Sequence, residues 1–175
     1  MIYKYIFLYK YNMFSPVIKL PLATVLDKQN NKDNKSKYEE PIYKLYFDGC
    51  SKGNPGPGGA GAVLYKDDQE IWSDSAFVGK RVTNNQSEYA GLIIGLNYVV
   101  NHTQIKCLLV NGDSQLVIKQ MRGEYKVNSA NLLEMHNTVK AVAKNLEKIE
   151  YHHVYRKDNK RADALSNEGL LKTVN

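Results

Sequence analysis

"IYKLYFDGCSKGNPGPGGAGAVLYK", residues 42–66, is the stretch on which the fold turns. Strand formers fill 42–47 and again 59–66, and between them Asp48 stands directly before a loop whose last seven residues, 53–59, hold four glycines and two prolines. Glycine lets backbone approach another surface closely, and proline limits the loop's freedom. Working outward, "EIWSDSAFV" (70–78) reads as a third strand after a turn at Asp67 and Asp68, an antiparallel meander. Thr83 with Gln86 three residues on is a capping-box signature that starts a helix near Asn84, running to about Val100. Leu92, Leu96 and Val99 recur on it at helical spacing, and Gly91 with Gly95 flattens a flank for close approach to a sheet. "IKCLLVNGD" (105–113) reads as a buried strand, followed by a short helix from Ser114 and a longer one over about 129–146. A fifth strand (149–155) and a final helix (159–171) complete the order βββαβααβα. This is an α/β fold: a mixed five-stranded sheet, three antiparallel strands extended by two parallel strands, flanked by helices.

The composition, 43% hydrophobic and 24% charged over 175 residues, is that of an ordinary soluble globular domain with an appendage. No run of about 18 apolar residues occurs, so no membrane-spanning helix is expected. Cys50 and Cys107 are too few for a disulfide framework and read as reduced thiols in an intracellular protein, cytoplasmic or nuclear. The net charge of +6 favours an acidic partner, but it is spread evenly: residues 1–40 carry seven Lys against four acids, and 41–175 carry seventeen Lys and Arg against fourteen. The Tyr- and Lys-rich opening "MIYKYIFLYKYNMF" lacks the small-residue cleavage site of a secretory signal. An organellar targeting peptide and an unstructured leader with Met13 as an alternative start both stay open. "KQNNKDNKSKYEE" (28–40) has no apolar periodicity and reads as a disordered linker, which leaves 41–171 as the folded domain and 172–175 as a tail.

Asp48 and Asp113 both fall where a strand is expected to stop. In open α/β sheets, sites form beyond the carboxyl ends of strands at a switch in strand order. If the first and fourth strands are neighbours, these side chains emerge together. Glu88, in the second turn of the capped helix, and Asp163, early in the last helix, lie on elements packed beside them. Each acid alone suits a structural role, an Asp as a turn former or Glu88 as an exposed helix acid. Together, four carboxylates repel one another and lose solvation, which cations relieve, and hard oxygen ligands suit Mg²⁺ or Mn²⁺.

"YFDGCSKGNPGPGGAGAVL", "TNNQSEYAGLIIGL", "VNGDSQLVIKQM" and "NKRADALSNEGL" together resemble the ribonuclease H family, type 1, most of all its shorter archaeal and plant-like branch, over about residues 42–170. The resemblance implies an endonuclease that hydrolyses the RNA strand of RNA/DNA hybrids with two divalent ions, leaving 5′-phosphate and 3′-hydroxyl ends. It makes Asp48, Glu88, Asp113 and Asp163 the catalytic, metal-binding acids, with Asp48 bridging. It also implies hybrid contacts from Asn54, Asn84, Asn85 and Gln115 around the minor groove, and from Arg81 to a DNA-strand phosphate. Asn84 and Asn85 equally suit simple helix-start chemistry. "GNPGPGG" lacks the Gly-Lys-Ser/Thr ending of a phosphate-cradling loop, so no nucleotide cofactor is expected.

The chain departs from the family twice. No His lies between Val154 and Asp163, where many bacterial members have one, and His152 and His153 belong to the preceding strand, on opposite faces. The extra basic helix of some relatives is also absent, and Lys119, Arg122 and Lys126 are a thin substitute, or an ordinary solvated face. Trp72 and Phe77 read as core rather than a stacking platform, and Cys50 as an incidental thiol. A non-cutting binding module and a DNA-directed nuclease on the same fold are the rival readings. Four acids argue against the first, because phosphate binding gains nothing from carboxylates. The intact set of blocks argues against the second. Deleting residues 1–38 is expected to leave hybrid cleavage intact; loss of soluble, active protein on deletion would place the leader within the fold.

Overall fold

The computed structural model describes residues 42–172, so the expected leader and linker lie outside the described residues. Strands β1 (Tyr43–Ser51), β2 (Gly56–Lys66) and β3 (Gln69–Val82) form the meander. Helix α1 (Asn84–His102), strand β4 (Cys107–Gly112), helices α2 (Gln115–Met121) and α3 (Ala130–Ala143), strand β5 (Lys148–His153) and helix α4 (Lys160–Leu171) follow, with a 3₁₀ turn at Arg156–Asp158 before α4. The sheet order is β3-β2-β1-β4-β5, with β1–β2 and β2–β3 antiparallel and β1–β4 and β4–β5 parallel. The expected mixed five-stranded architecture is therefore the observed one.

Local chemistry accounts for the joints. Asp67 and Asp68 take φ of 49° and 66°, the pair of left-handed residues that a two-residue hairpin between twisted strands needs. The capping box at Thr83 is formed in both directions: its hydroxyl accepts from the Gln86 backbone N–H at 3.3 Å, and Gln86 Oε1 accepts from the Thr83 N–H at 2.8 Å. Ser114 caps α2 in one direction only, its hydroxyl accepting from the Val117 N–H.

Several boundaries differ from the sequence expectation: β5 ends at His153 rather than 155, and α3 at Ala143 rather than about 146. β2 begins at Gly56 rather than 59, and β3 runs on to Val82. Their extra residues pair as Gly56↔Val82 and Gly58↔Gly79 through bulges, where glycines carry no side chain for an alternation pattern to show. β1 continues three residues beyond Asp48, held by Gly49↔Ala60, Cys50↔Gly59 and Ser51↔Gly58. Asp48 therefore does not end its strand. β4 is the strand that stops, at the rung Phe47↔Gly112, so Asp48 and Asp113 are the first residues past that rung.

The two faces of the sheet are covered by different helices. Leu45, Phe47 and Gly49 point toward α1, whose Tyr89, Leu92, Leu96 and Val99 are fully buried. Each such side chain contributes about 1.5–3 kcal/mol by leaving water. Tyr46 and Asp48 point the other way, toward α4, where Val63, Ala162 and Leu165 form a second core cluster flanked by Tyr46 and Tyr65. α3 packs on the outside of α1 through Leu132, Met135 and Val139. Trp72, expected in the core, is half-buried and stacks face to face on Tyr98 of α1 at 4.1 Å; Phe77 is also half-buried. No described helix is long and apolar enough to cross a membrane.

Glycines set how near the helices come to the acid-bearing strand. A Cβ on Gly91 would fall 2.5 Å from the Asp48 carbonyl oxygen, and one on Gly49 would fall 2.0 Å from the Ser87 carbonyl carbon and 2.1 Å from the Glu88 backbone nitrogen. Gly49→Ala must push α1 off β1. It is expected to lower stability by about 1–3 kcal/mol or more, the range of overpacked cores, read as a drop in the urea unfolding midpoint.

Candidate active site

The mouth of the sheet, where β1 outruns β4, gathers three acids. Asp48 rises from β1 and is buried, with its Oδ2 accepting from the Ser166 hydroxyl of α4 at 2.6 Å. Glu88 reaches the same point from α1, which Gly49 allows to lie against β1. Asn84, one turn earlier, donates to Glu88 Oε1 at 3.4 Å, while Oε2 is buried with no hydrogen-bond partner among the described residues. Asp113 follows directly on β4, and the Asn159 side chain donates to its Oδ1 at 3.1 Å. One oxygen from each of these three acids lies within 4.8 Å of the others.

Asp163 is placed differently. It sits in the first turn of α4, but its carboxylate pairs with the Arg156 guanidinium and with Asn167 Nδ2. The structure thus brings together Asp48, Glu88 and Asp113 and holds Asp163 at their border, close enough for its charge to act on Asp48.

Burial dominates the electrostatics. It pushes the Asp48 carboxyl up to about 6; the Ser166 hydroxyl opposes the shift, and the charges of Asp113 and Asp163 add to it. Burial likewise holds Glu88 well above the usual carboxylate range, reinforced by Asp48 and Asp113. Such groups are costly to ionise without a compensating charge. An orphaned buried carboxylate oxygen among clustered hard oxygen donors fits a divalent cation of the Mg²⁺ or Mn²⁺ kind.

The expected substrate contacts divide. Asn54, Arg81 and Gln115 are exposed, and Asn85 is partly so. Asn54 Oδ1 accepts the Asn84 backbone N–H at 3.0 Å, tying the glycine-rich loop to the start of α1, so Asn54 and Asn84 are brought side by side. His152 turns to Glu150 and His153 to the carbonyl of Asp113, on opposite sides of β5 as alternation requires. Cys50 donates its thiol to the Ser166 carbonyl. Asn159, Ser166 and Arg156 were not singled out in the sequence. Asn159 carried a readable signal as a helix-start residue, and Ser166 lies one turn beyond Asp163. Arg156 carried none.

Residues 46–169 match the profile described as reverse transcriptase-like. A bifunctional protein of Mycobacterium tuberculosis is 39% identical over 124 residues, which are 70% of this chain and 34% of that relative, so the chain spans about a third of its length. The crystal structure of RNase H1 from Halobacterium salinarum superposes with a TM-score of 0.71 at 35% identity, covering 75% of this chain and 99% of that one. The chain belongs to the type 1 ribonuclease H family. A further ribonuclease H of this type, from a compost metagenome and solved in complex with an RNA/DNA hybrid, superposes with a TM-score of 0.67 at 30% identity over 73% of this chain and 96% of its own.

In this member of the family the raised carboxyls give a definite pH dependence. The unfolded chain holds Asp48 near the ordinary 3.8 and the folded chain near 6, so between these values the fold binds more protons. Its contribution to stability is full below about 4 and is lost as pH rises toward about 6. In chelator, Asp48→Asn is therefore expected to melt higher than the native protein at pH 7, with the gap closing toward pH 4. Equal gaps at both pH values would contradict this account.

Proposed function

We propose that this ribonuclease H is an endonuclease that hydrolyses the RNA strand of RNA/DNA hybrids, using divalent cations held by Asp48, Glu88, Asp113 and Asp163. The observation that carries the reading is the cluster of three carboxylates, two buried and one half-buried, with a Glu88 oxygen that has no partner among the described residues. A binding module would gain nothing from that cluster, because carboxylates repel a phosphate backbone. The relative solved with an RNA/DNA hybrid supports the choice of substrate.

In the proposed reaction a water oxygen adds to phosphorus and the bond from phosphorus to the 3′-oxygen breaks, leaving a 5′-phosphate and a 3′-hydroxyl. Two ions, Mg²⁺ or Mn²⁺, would supply a lowered pKa for that water and charge neutralisation at the leaving oxygen. The residues' own part is to hold the cluster. Asp48, clustered with Glu88 and Asp113, would take the bridging position that the family resemblance implies, and the Ser166 hydroxyl, donating to its Oδ2, fixes its carboxylate. Asp163, paired here with Arg156, would join the ions by giving up that partner. Asn54, Asn84, Asn85 and Gln115 face the minor groove, where the 2′-hydroxyl distinguishes RNA from DNA, and Arg81 takes a DNA phosphate.

The test is cleavage of an end-labelled hybrid with Mg²⁺ or Mn²⁺, beside duplex DNA and single-stranded RNA, by the native protein and Asp48→Asn. Hybrid-only cleavage that falls to background in the variant is expected. A folded native protein that leaves the hybrid uncut with both ions would refute the assignment. Cleavage undiminished by the substitution would remove Asp48 from the site.

A further inference from the structure

Asn159 occupies the N-cap of α4, yet its side chain makes no capping bond to that helix. Asn is among the best capping residues, so its side chain is committed elsewhere. Its Nδ2 donates inward, to the Phe47 carbonyl at 2.9 Å and to Asp113 Oδ1 at 3.1 Å. Its backbone carbonyl accepts the Asp163 N–H at 3.0 Å. One residue, 1% exposed, thus joins the backbone beside Asp48, the carboxylate of Asp113 and the chain at Asp163. The cost is visible: Asn159 Oδ1 is buried with no partner among the described residues. Turning the amide over would be worse, because an acceptor would then face a carbonyl and a carboxylate. The amide is also neutral. A Lys or Arg here would satisfy Asp113 but compete with any cation for its charge.

We infer that Asn159 is a positioning residue for metal binding, fixing the Asp113 carboxylate against β1 and α4 so that the acid cluster meets a divalent ion already arranged. This rests on the reading of the cluster as a divalent-cation site. Partners of this kind, one step removed from the ion, order the ligands and so set affinity.

The test measures Mn²⁺ binding directly by titration calorimetry for the native protein, Asn159→Ala and Asn159→Ser, with thermal melts in chelator. Serine caps a helix about as well as Asn but is too short to reach Asp113, so it separates helix stability from positioning. The Mn²⁺ dissociation constant is expected to rise about 10- to 100-fold in both variants, while the Ser variant keeps a cooperative, native-like melt. If the Ala variant fails to fold, the Ser variant decides. A folded Ser variant within about twofold of native affinity, far short of the usual effect, overturns the inference. So does a Ser variant that loses its fold, because Asn159 would then be structural. A native protein that binds neither Mn²⁺ nor Mg²⁺ overturns the metal reading itself, an outcome distinct from the other two.

Discussion

Three carboxylates, those of Asp48 and Glu88 buried and that of Asp113 half-buried, meet at the point where β1 outruns β4, and much of the surrounding structure exists to hold them there. Burial, and after it the charges of neighbouring acids, raises the pKa of Asp48 and of Glu88, so the cluster is an electrostatic burden on the fold unless a cation compensates it. A protein with nothing to gain from that burden would replace the acids with apolar residues, which often cost no stability. The cluster is therefore best understood as strain kept for chemistry and relieved by cations.

Holding the acids requires three elements to meet closely. α1 can bring Glu88 to the strand only because Gly49 and Gly91 remove the side chains that would stand between them. α4 packs on the opposite face and contributes more than its own acid: Ser166 reaches Asp48, and Asn159 reaches Asp113. Gly61, directly across from Asp48 on β2, makes that approach possible, since a Cβ there would sit 2.4 Å from Leu165 Cβ. The site is thus built from both faces of the sheet, with β1 as its floor.

Much of the fold was legible because its signals are local. The two-residue turn at Asp67 and Asp68, the capping box at Thr83 and the apolar run of β4 depend on neighbours in sequence, and each formed where the pattern placed it. The largest boundary shifts lie in the glycine-rich ends of β1 and β2 and the charged end of β3, where pairing across the meander rather than side-chain alternation holds the strand and leaves no periodic mark. Trp72, read as core, does pack on Tyr98 of α1 but stays half-buried, because aromatic content marks a strand but not how fully a helix covers it.

The sequence by itself determined which residue types could carry chemistry: four acids, each on or beside an element whose type could be read, with the blocks that mark the family. Only the tertiary structure decided their relation. It set Asp48 in mid-strand rather than at a strand end, joined three acids and turned the fourth toward Arg156. It also recruited Ser166 and Asn159, whose partners lie 118 and 46 residues away in the chain. The physical reason is that helix caps and strand alternation are read over a few residues, whereas hydrogen bonds and electrostatic repulsion act through space between side chains that only the packed sheet and helices bring together.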